Sequence, residues 1–579
     1  MKAVLNTKYG AIGLIILLAS LVFVPFIGNC HLFDWDEINF AECAREMVVT
    51  GNYSNVQLNY NPFWEKPPFF IWLQAISMNV FGVNEFAARF PNAVCGIISL
   101  CVIFFIGKKV YSSSFGLTWV LVYAGTLLPH FYFKSGIIDP WFNLFIFSAF
   151  YQIILHFNDP LGKNGYRTAA LAGLFLGLAV LTKGPAAIVI VGGFIGAFWG
   201  LQKFKRVSGL KQISVFMLSL ILTGFSWFLF ELLRGNTEVI KAFIDYQIRL
   251  FKTEDSDHGG FLLYHFVVLL IGCFPTSLFM IMSLKKSGMD TPFQKHVKFG
   301  MVILFFVVLG IFTLVKTKIV HYSSLCYLPL TYLATYSIHK LFSGEYKIKA
   351  WFAALFIGLS LILGIAFSLL GAVDFLKPLL LSNNLIKDPF AIENLKAEAN
   401  WQGWEWSLGL IFILVSHAGY RFISRGKTRL IYWLYSFYIV FIFVFIAVFI
   451  PKIEMYTQNS AITFYEVLAK KDYYVETSGF KSYAYLFYTN KQPQQNQNSD
   501  CIEYVKKNLL DIEAKGFNPL TSYSIAYANW MLYGKIDKPA IFVCKSNNTE
   551  VLMQTGVVKP IYSKNGYVFF VRMPEISKN

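Results

Sequence analysis

Two short stretches near the start of the chain concentrate carboxylates beside basic and aromatic side chains. The first reads Asp34-Trp35-Asp36-Glu37-Ile38-Asn39-Phe40-Ala41-Glu42-Cys43-Ala44-Arg45-Glu46, and the second Phe63-Trp64-Glu65-Lys66-Pro67-Pro68. From Glu37 onward the sequence has helical spacing: Ile38, Ala41 and Arg45 share one face and Phe40, Ala44 and Val48 another, until Gly51-Asn52 stop it. This predicts an amphipathic helix lying on a membrane face. Asp36 would stand at its N-terminus, where the helix dipole favours a carboxylate. By position alone, Asp36 could be a cap or a catalytic group. Glu65 and Lys66 ahead of two prolines predict a stiff charged element, because proline fixes φ and disfavours helix before it. Trp64 and Trp72 read as interface anchors.

Three further places carry ionisable groups at the ends of apolar runs. Asp139, in Ile137-Ile138-Asp139-Pro140, is either an N-cap with Pro at the first helical position or a functional carboxylate. Lys183 tips a helical hairpin in Leu181-Thr182-Lys183-Gly184-Pro185, and Lys316, Lys318, His321 and Tyr322 gather ahead of Leu328-Pro329. A single lysine could simply snorkel. Several on one side suggest an anionic ligand such as a lipid phosphate, to which a lysine at 4 Å contributes about 4 kcal/mol at an effective dielectric near 20. The sequence has no Walker, GxGxxG, HExxH or Ser-His-Asp signal.

The elements that must position these groups follow from composition. The 579 residues are 56% hydrophobic, 18% aromatic and only 14% charged, with 59 Phe, and mean hydropathy is +0.52. So few charges cannot cover several soluble domains, which excludes a soluble enzyme, a disordered chain and a fibrous one. What remains is an all-α polytopic membrane protein. Apolar runs predict thirteen spans, near 10–29, 86–107, 113–133, 137–156, 167–182, 184–201, 211–233, 261–284, 299–316, 319–338, 350–372, 406–423 and 429–450. The first is too long for the apolar core of a signal peptide. The run at 167–201 is read as two helices broken at Lys183-Gly184-Pro185, which keeps the lysine off the bilayer centre.

Alternation of sides with the N-terminus inside makes every cytoplasmic turn basic, including Lys108, Lys109, Lys203, Lys285, Lys347, Lys349, Arg421, Arg425 and Lys427. The formal net charge of +17 is therefore mostly an orientation signal, and no nucleic-acid partner is expected. The acids gather on the other side: Asp34, Asp36, Glu37, Glu42, Glu46, Glu65, Asp139, Asp245, Glu254, Asp255 and Asp257. Residues 1–450 read as the transmembrane domain, with 30–85 as a first extracytoplasmic loop carrying interfacial helices. Residues 451–579 are polar enough for a small extracytoplasmic α/β domain. In it, strands are expected at 473–475, 540–544 and 567–571 and helices at 461–470 and 502–510. Eight Cys do not make a disulfide framework, and whether Cys501 pairs with Cys544 stays open.

Asp36-Glu37, Ala41-Glu42, Arg45-Glu46-Met47, Gly51-Asn52-Tyr53 and the Glu65-Lys66-Pro67-Pro68 motif together resemble the first loop of the GT-C glycosyltransferases. The likeness is strongest to bacterial lipid A aminoarabinose transferases and their protein O-mannosyltransferase relatives. The Thr182-Lys183-Gly184-Pro185 motif and the Lys318, Tyr322, Leu328-Pro329 segment extend it over about the first 335 residues. The resemblance implies a transferase using a polyprenyl-phosphate sugar as donor, with a hydroxyl of lipid A, a glycolipid or a protein as acceptor. It implies catalytic roles for Asp36, as base, and for Asp139 and Glu65. It implies donor-phosphate contacts from Lys66, Lys183, Lys318 and Tyr322. No cofactor is required, although Glu65 could hold a divalent metal. The bacterial plasma (inner) membrane is the implied location, with the active site outside. Two departures bear on sugar specificity: Asn39 replaces a usual Arg, and the loop at 253–264 differs. A transporter or flippase of a lipid-linked anion is the alternative, though no internal repeat supports it.

Overall fold

In the computed structural model, residues 10–63, 65–159, 162, 164–204, 208–252, 259–285, 289–382, 386–515, 517 and 519–575 are described. Trp64 and the segment 253–258, with Glu254, Asp255, Asp257 and His258, lie outside the described residues. Apolar helices dominate. Among the described residues seven are long and apolar enough to cross a membrane, or nine when two bent pairs count as single spans, and four more apolar helices are shorter. The count of thirteen spans is not confirmed, and the local differences have causes in the chain. The expected span at 113–133 is broken at Gly125, between Ser113–Ala124 and Leu127–Tyr132. That at 211–233 bends by 54°, and that at 261–284 turns by 111° between Tyr264–Gly272 and Thr276–Ser283, where Pro275 cannot supply a helical N–H. The 319–338 run opens as a 3-10 turn, Val320–Cys326, before the helix Tyr327–Phe342. The hairpin at Lys183 forms as expected: Gly165–Lys183 ends at Gly184, whose φ of +83° suits glycine, and Ala186–Leu201 returns.

The first loop forms the helix Asp36–Thr50, stopped by Gly51 at φ +67°, and a second helix, Phe69–Phe81, directly after Pro68. The first of these is not a surface-lying amphipath. Glu37, Ile38 and every residue from Phe40 to Met47 are buried. Its apolar side shares a core with Ile541, Val543, Tyr567 and Phe569 of the C-terminal region and with Ile71 and Ala75 of the second loop helix. Its charged side is buried because Glu42 and Arg45 pair with each other: Arg45 Nε and Nη2 donate to the two Glu42 oxygens at 2.7 and 2.6 Å.

The C-terminal region carries a four-stranded sheet in which Tyr474–Ser478 runs parallel to Ala540–Lys545. Tyr567–Arg572 is antiparallel to the latter, and Lys559–Lys564 forms the outer edge. The expected strands and helices are present; the edge strand and the helix Pro519–Tyr533 are additions. Period-two alternation assigns the two faces. Ala540, Phe542 and Cys544 pack on the helices Ser499–Glu513 and Pro519–Tyr533, while Ile541 and Val543 join the core shared with the first loop. Cys501 and Cys544 are separate buried thiols.

Candidate active site

Asp36, Lys66, Asp139, Lys183, His321 and Tyr322 come together at one end of the bundle, each delivered by an element end. Asp36 starts the first loop helix, directly after Trp35, whose φ of +74° lies in the left-handed region a large side chain rarely adopts. Glu37 holds that turn. Its carboxylate takes two hydrogen bonds from Arg89, at 2.8 Å each, and accepts from the Phe33 and Gly136 amides. Arg89 also donates to the carbonyls of Ile27, Cys30 and His31. This fork ties the start of the loop helix to the helix Glu85–Val110 and to the turn before Asp139, which sets where Asp36 points. Burial alone would raise the Glu37 carboxyl; the Arg89 charge and hydrogen bonds outweigh it and hold the group below the usual range.

Asp36 Oδ2 lies 3.3 Å from His321 Nε2, and the same nitrogen is 3.9 Å from Asp139 Oδ2. Asp139, first residue of the helix Asp139–Asn158, is buried, and its Oδ1 accepts from Lys183 Nζ at 2.6 Å. Lys183 in turn stands over the rings of Tyr322 at 5.3 Å and Phe142 at 5.7 Å. Lys66 Nζ is 3.5 Å from the Tyr246 hydroxyl and 4.9 Å above its ring. The result is a row of alternating charge. The Asp36 side chain is 40% exposed and opens outward. What burial it has pushes its carboxyl up, but the adjacent His321 and the charges of Lys66 and Lys183 hold it well below the usual carboxylate range. It stays ionised, with cations on either side.

Two other expected residues sit elsewhere. Lys318 donates to the carbonyls of Phe312, Thr313 and Val315 at 3.0, 2.7 and 2.5 Å, closing the C-terminus of the helix Pro292–Leu314. Its ammonium is spent there, while Tyr322, four residues on, lies beneath Lys183. Glu65 lies near enough to Cys43 and to Tyr483 of the C-terminal region for its charge to act on both. Among the described residues no three His, Cys, Asp or Glu side chains gather to hold a metal.

Sequence reasoning placed His321 in a turn but gave it no partner, and it passed over Arg89 and Tyr246. Arg89 had a signal, as a charge inside an apolar run. Tyr246 had none, since an aromatic on an amphipathic helix is ordinary. Asn39 is half-buried one turn past Asp36, with a buried Oδ1 that has no hydrogen-bond partner. Beside the loop, an apolar groove of about 620 Å³ opens between Tyr53, Trp72 and Ile76 and the bent pair at Trp227 and Phe230.

The family described as dolichyl-phosphate-mannose-protein mannosyltransferase matches residues 65–229. ArnT from Cupriavidus metallidurans, in a crystal structure bound to undecaprenyl phosphate, superposes with a TM-score of 0.70 over 99% of each chain at 16% identity. Fold and motifs together define the class that the chain resembles: the GT-C glycosyltransferases. Within that class the likeness is to undecaprenyl phosphate-alpha-4-amino-4-deoxy-L-arabinose arabinosyl transferases. That of Wigglesworthia glossinidia brevipalpis is 25% identical over 312 residues, 53% of this chain and 55% of the relative. That of Shewanella sediminis is 26% identical over 325 residues, 55% and 58%. The matched stretch spans a little over half the length of these relatives.

Proposed function

We propose that the chain is an integral-membrane glycosyltransferase that moves a sugar from a polyprenyl-phosphate donor to a hydroxyl of an extracytoplasmic acceptor. The observation that carries this reading is the Asp36 carboxylate, 40% exposed and held ionised by His321, Lys66 and Lys183, on a fold shared with ArnT. The acceptor oxygen attacks the anomeric carbon as the bond from that carbon to the phosphate oxygen breaks, and the electron pair leaves with the phosphate. Asp36 is a weak base, because its neighbours favour the carboxylate. It takes the proton late, once the attacking oxygen carries positive charge and has become strongly acidic. The departing phosphate is itself a weak base and needs cations more than an acid; Lys66 and Lys183 supply them, with Asp139 holding Lys183 in position. The apolar groove by Trp72 and Trp227 suits a polyprenyl chain.

In this reading the basic turns mark the cytoplasmic side, and the site and residues 451–579 lie outside the inner membrane of a bacterium. Lipid A, another glycolipid and a protein hydroxyl are the acceptors that the resemblance suggests. The transport alternative gains nothing from the structure, since the ionisable groups sit at helix ends rather than in mid-span. Asp36→Asn in proteoliposomes supplied with a polyprenyl-phosphate sugar is expected to insert normally and to abolish transfer; full turnover would remove Asp36 from the mechanism.

A further inference from the structure

The end of the bundle away from Asp36 carries a second, smaller pocket of about 190 Å³, lined by Lys285, Lys347, Lys349, Tyr346 and Trp351. The helix Tyr327–Phe342 separates the two ends. It follows Tyr322 and precedes Tyr346, and its sixteen residues at about 1.5 Å each span about 24 Å. The two acids nearest in sequence are engaged by another cation: Lys340 Nζ lies 2.9 Å from Asp290 and 2.8 Å from Glu345. Among the described residues no carboxylate pairs with Lys285, Lys347 or Lys349. Tyr346 fixes the geometry, its hydroxyl donating to the Lys285 carbonyl at 2.9 Å while the Lys285 ammonium stands 5.4 Å from its ring.

Three lysines around one concavity repel each other, and here a fourth positive feature joins them. The helix Ala350–Gly371 begins at the pocket with Lys349 as its N-cap, no capping side chain and no acid in its first turn. A cation at a helix N-terminus opposes the dipole, so four positive features converge where an anion would satisfy all of them. One wall is apolar, made by Ile281, Met282 and Trp351. Ile281 is 39% exposed, Leu284 just beyond it in the chain is 49% exposed, and Trp351 belongs to the residue type that sits at headgroup depth. A soluble anion would leave that wall without a role, and the space is too small for a folded peptide.

We infer that this pocket binds the phosphate headgroup of an anionic glycerophospholipid from the leaflet opposite the active site, with the acyl chains running along Ile281 and Leu284. Orientation lysines need only be on the right side. Here they surround a shaped cavity at the end of a helix dipole, which is a recognition geometry.

The test is native mass spectrometry of the delipidated full-length protein in detergent, titrated with dioleoylphosphatidylglycerol or dioleoylphosphatidylcholine. The wild type is expected to retain the anionic lipid over the zwitterionic one. Combined Lys285→Gln, Lys347→Gln and Lys349→Gln should weaken that retention by about tenfold or more, since each lysine contributes electrostatic attraction to an anionic headgroup. A matched variant on the same side, Arg167→Gln with Lys203→Gln and Lys211→Gln, removes equal charge from elements that do not line the pocket and should retain the lipid as the wild type does. Undiminished binding in the pocket variant overturns the inference, as does equal loss in the matched variant. Displacement of the lipid by millimolar inorganic phosphate would also overturn it, as the mark of a soluble-anion site. Should the triple variant fail to fold, Lys347→Gln with Lys349→Gln, both exposed, makes the same comparison with a several-fold loss expected.

Discussion

At the scale of single residues, the structure separates groups that share a charge by what each has left to offer. Lys183 and Lys318 are both lysines at turn positions, yet one faces Asp139 and Tyr322 while the other is consumed by three helix carbonyls. Lys183→Gln should therefore lower kcat by about 10²–10³-fold, as does loss of one group that stabilises developing charge, measured as sugar transfer in proteoliposomes. Lys318→Gln should mainly destabilise, read as a lower Tm. Arg89 illustrates a different residue-scale cost. Truncating it to Leu leaves Glu37 buried without its partner, a change worth about 3–5 kcal/mol. Thermal unfolding in detergent should show that loss, and adding Glu37→Gln to Arg89→Leu should recover part of it. An unchanged Tm in Arg89→Leu would show that the fork does not hold the loop. His321 was visible in the sequence as one member of a basic turn. What could not be read was that its Nε2 would face two aspartates, because partner choice depends on how distant helix ends pack.

At the scale of elements, helix ends do the work. The loop helix presents Asp36, the Pro67-Pro68 turn presents Lys66, one helix starts at Asp139 and another stops at Lys183. The bundle around them has close helix crossings that only small residues permit. At one such crossing, between Ala350–Gly371 and Trp406–Ser424, a Cβ added at Gly409 would stand 2.1 Å from the Gly364 carbonyl oxygen. Gly409→Ala should cost about 1–3 kcal/mol by overpacking, seen as a reduced Tm with the same loop structure. The start and stop of the hairpin at Lys183 were legible from Gly and Pro. The burial of the loop helix was not: its pattern fits a membrane surface, and what covers it comes from more than four hundred residues away in the chain.

At the scale of the whole molecule, the C-terminal sheet and the first loop form one core rather than two neighbours. Polar contacts reinforce it. Arg45 donates to Asn490 at 3.2 Å, the Tyr60 hydroxyl to the Lys491 carbonyl at 2.6 Å, and Lys491 Nζ to Asn59 at 2.8 Å. Glu476 lies buried in the same core. Burial pushes its carboxyl up to about 7, only partly opposed by the Lys491 charge. The folded state then keeps a proton that the unfolded chain, near 4.5, has lost. The contribution of this group is full below pH 4.5 and declines as pH rises to 7. Glu476→Gln should flatten the fall in Tm across that window; an identical slope in the variant would show that Glu476 does not titrate there. Removing residues 458–575 should expose Ile38, Ala41 and Met47 and make the loop helix sensitive to protease.

The membrane class, the fold family that the chain resembles and the short set of residues with chemical potential are all legible along the chain. In a chain that is 14% charged, an ionisable group beside an apolar run is costly to keep and therefore conspicuous. Composition and spacing carry that information locally. The tertiary structure decided which of those charges meet. Lys183 reaches Asp139 across 44 residues, Lys318 turns back onto its own helix end, and the charge of Glu65 acts on Tyr483 of the C-terminal region. Such pairings follow from where helices cross and end in three dimensions, and neighbouring residues in the chain do not encode them.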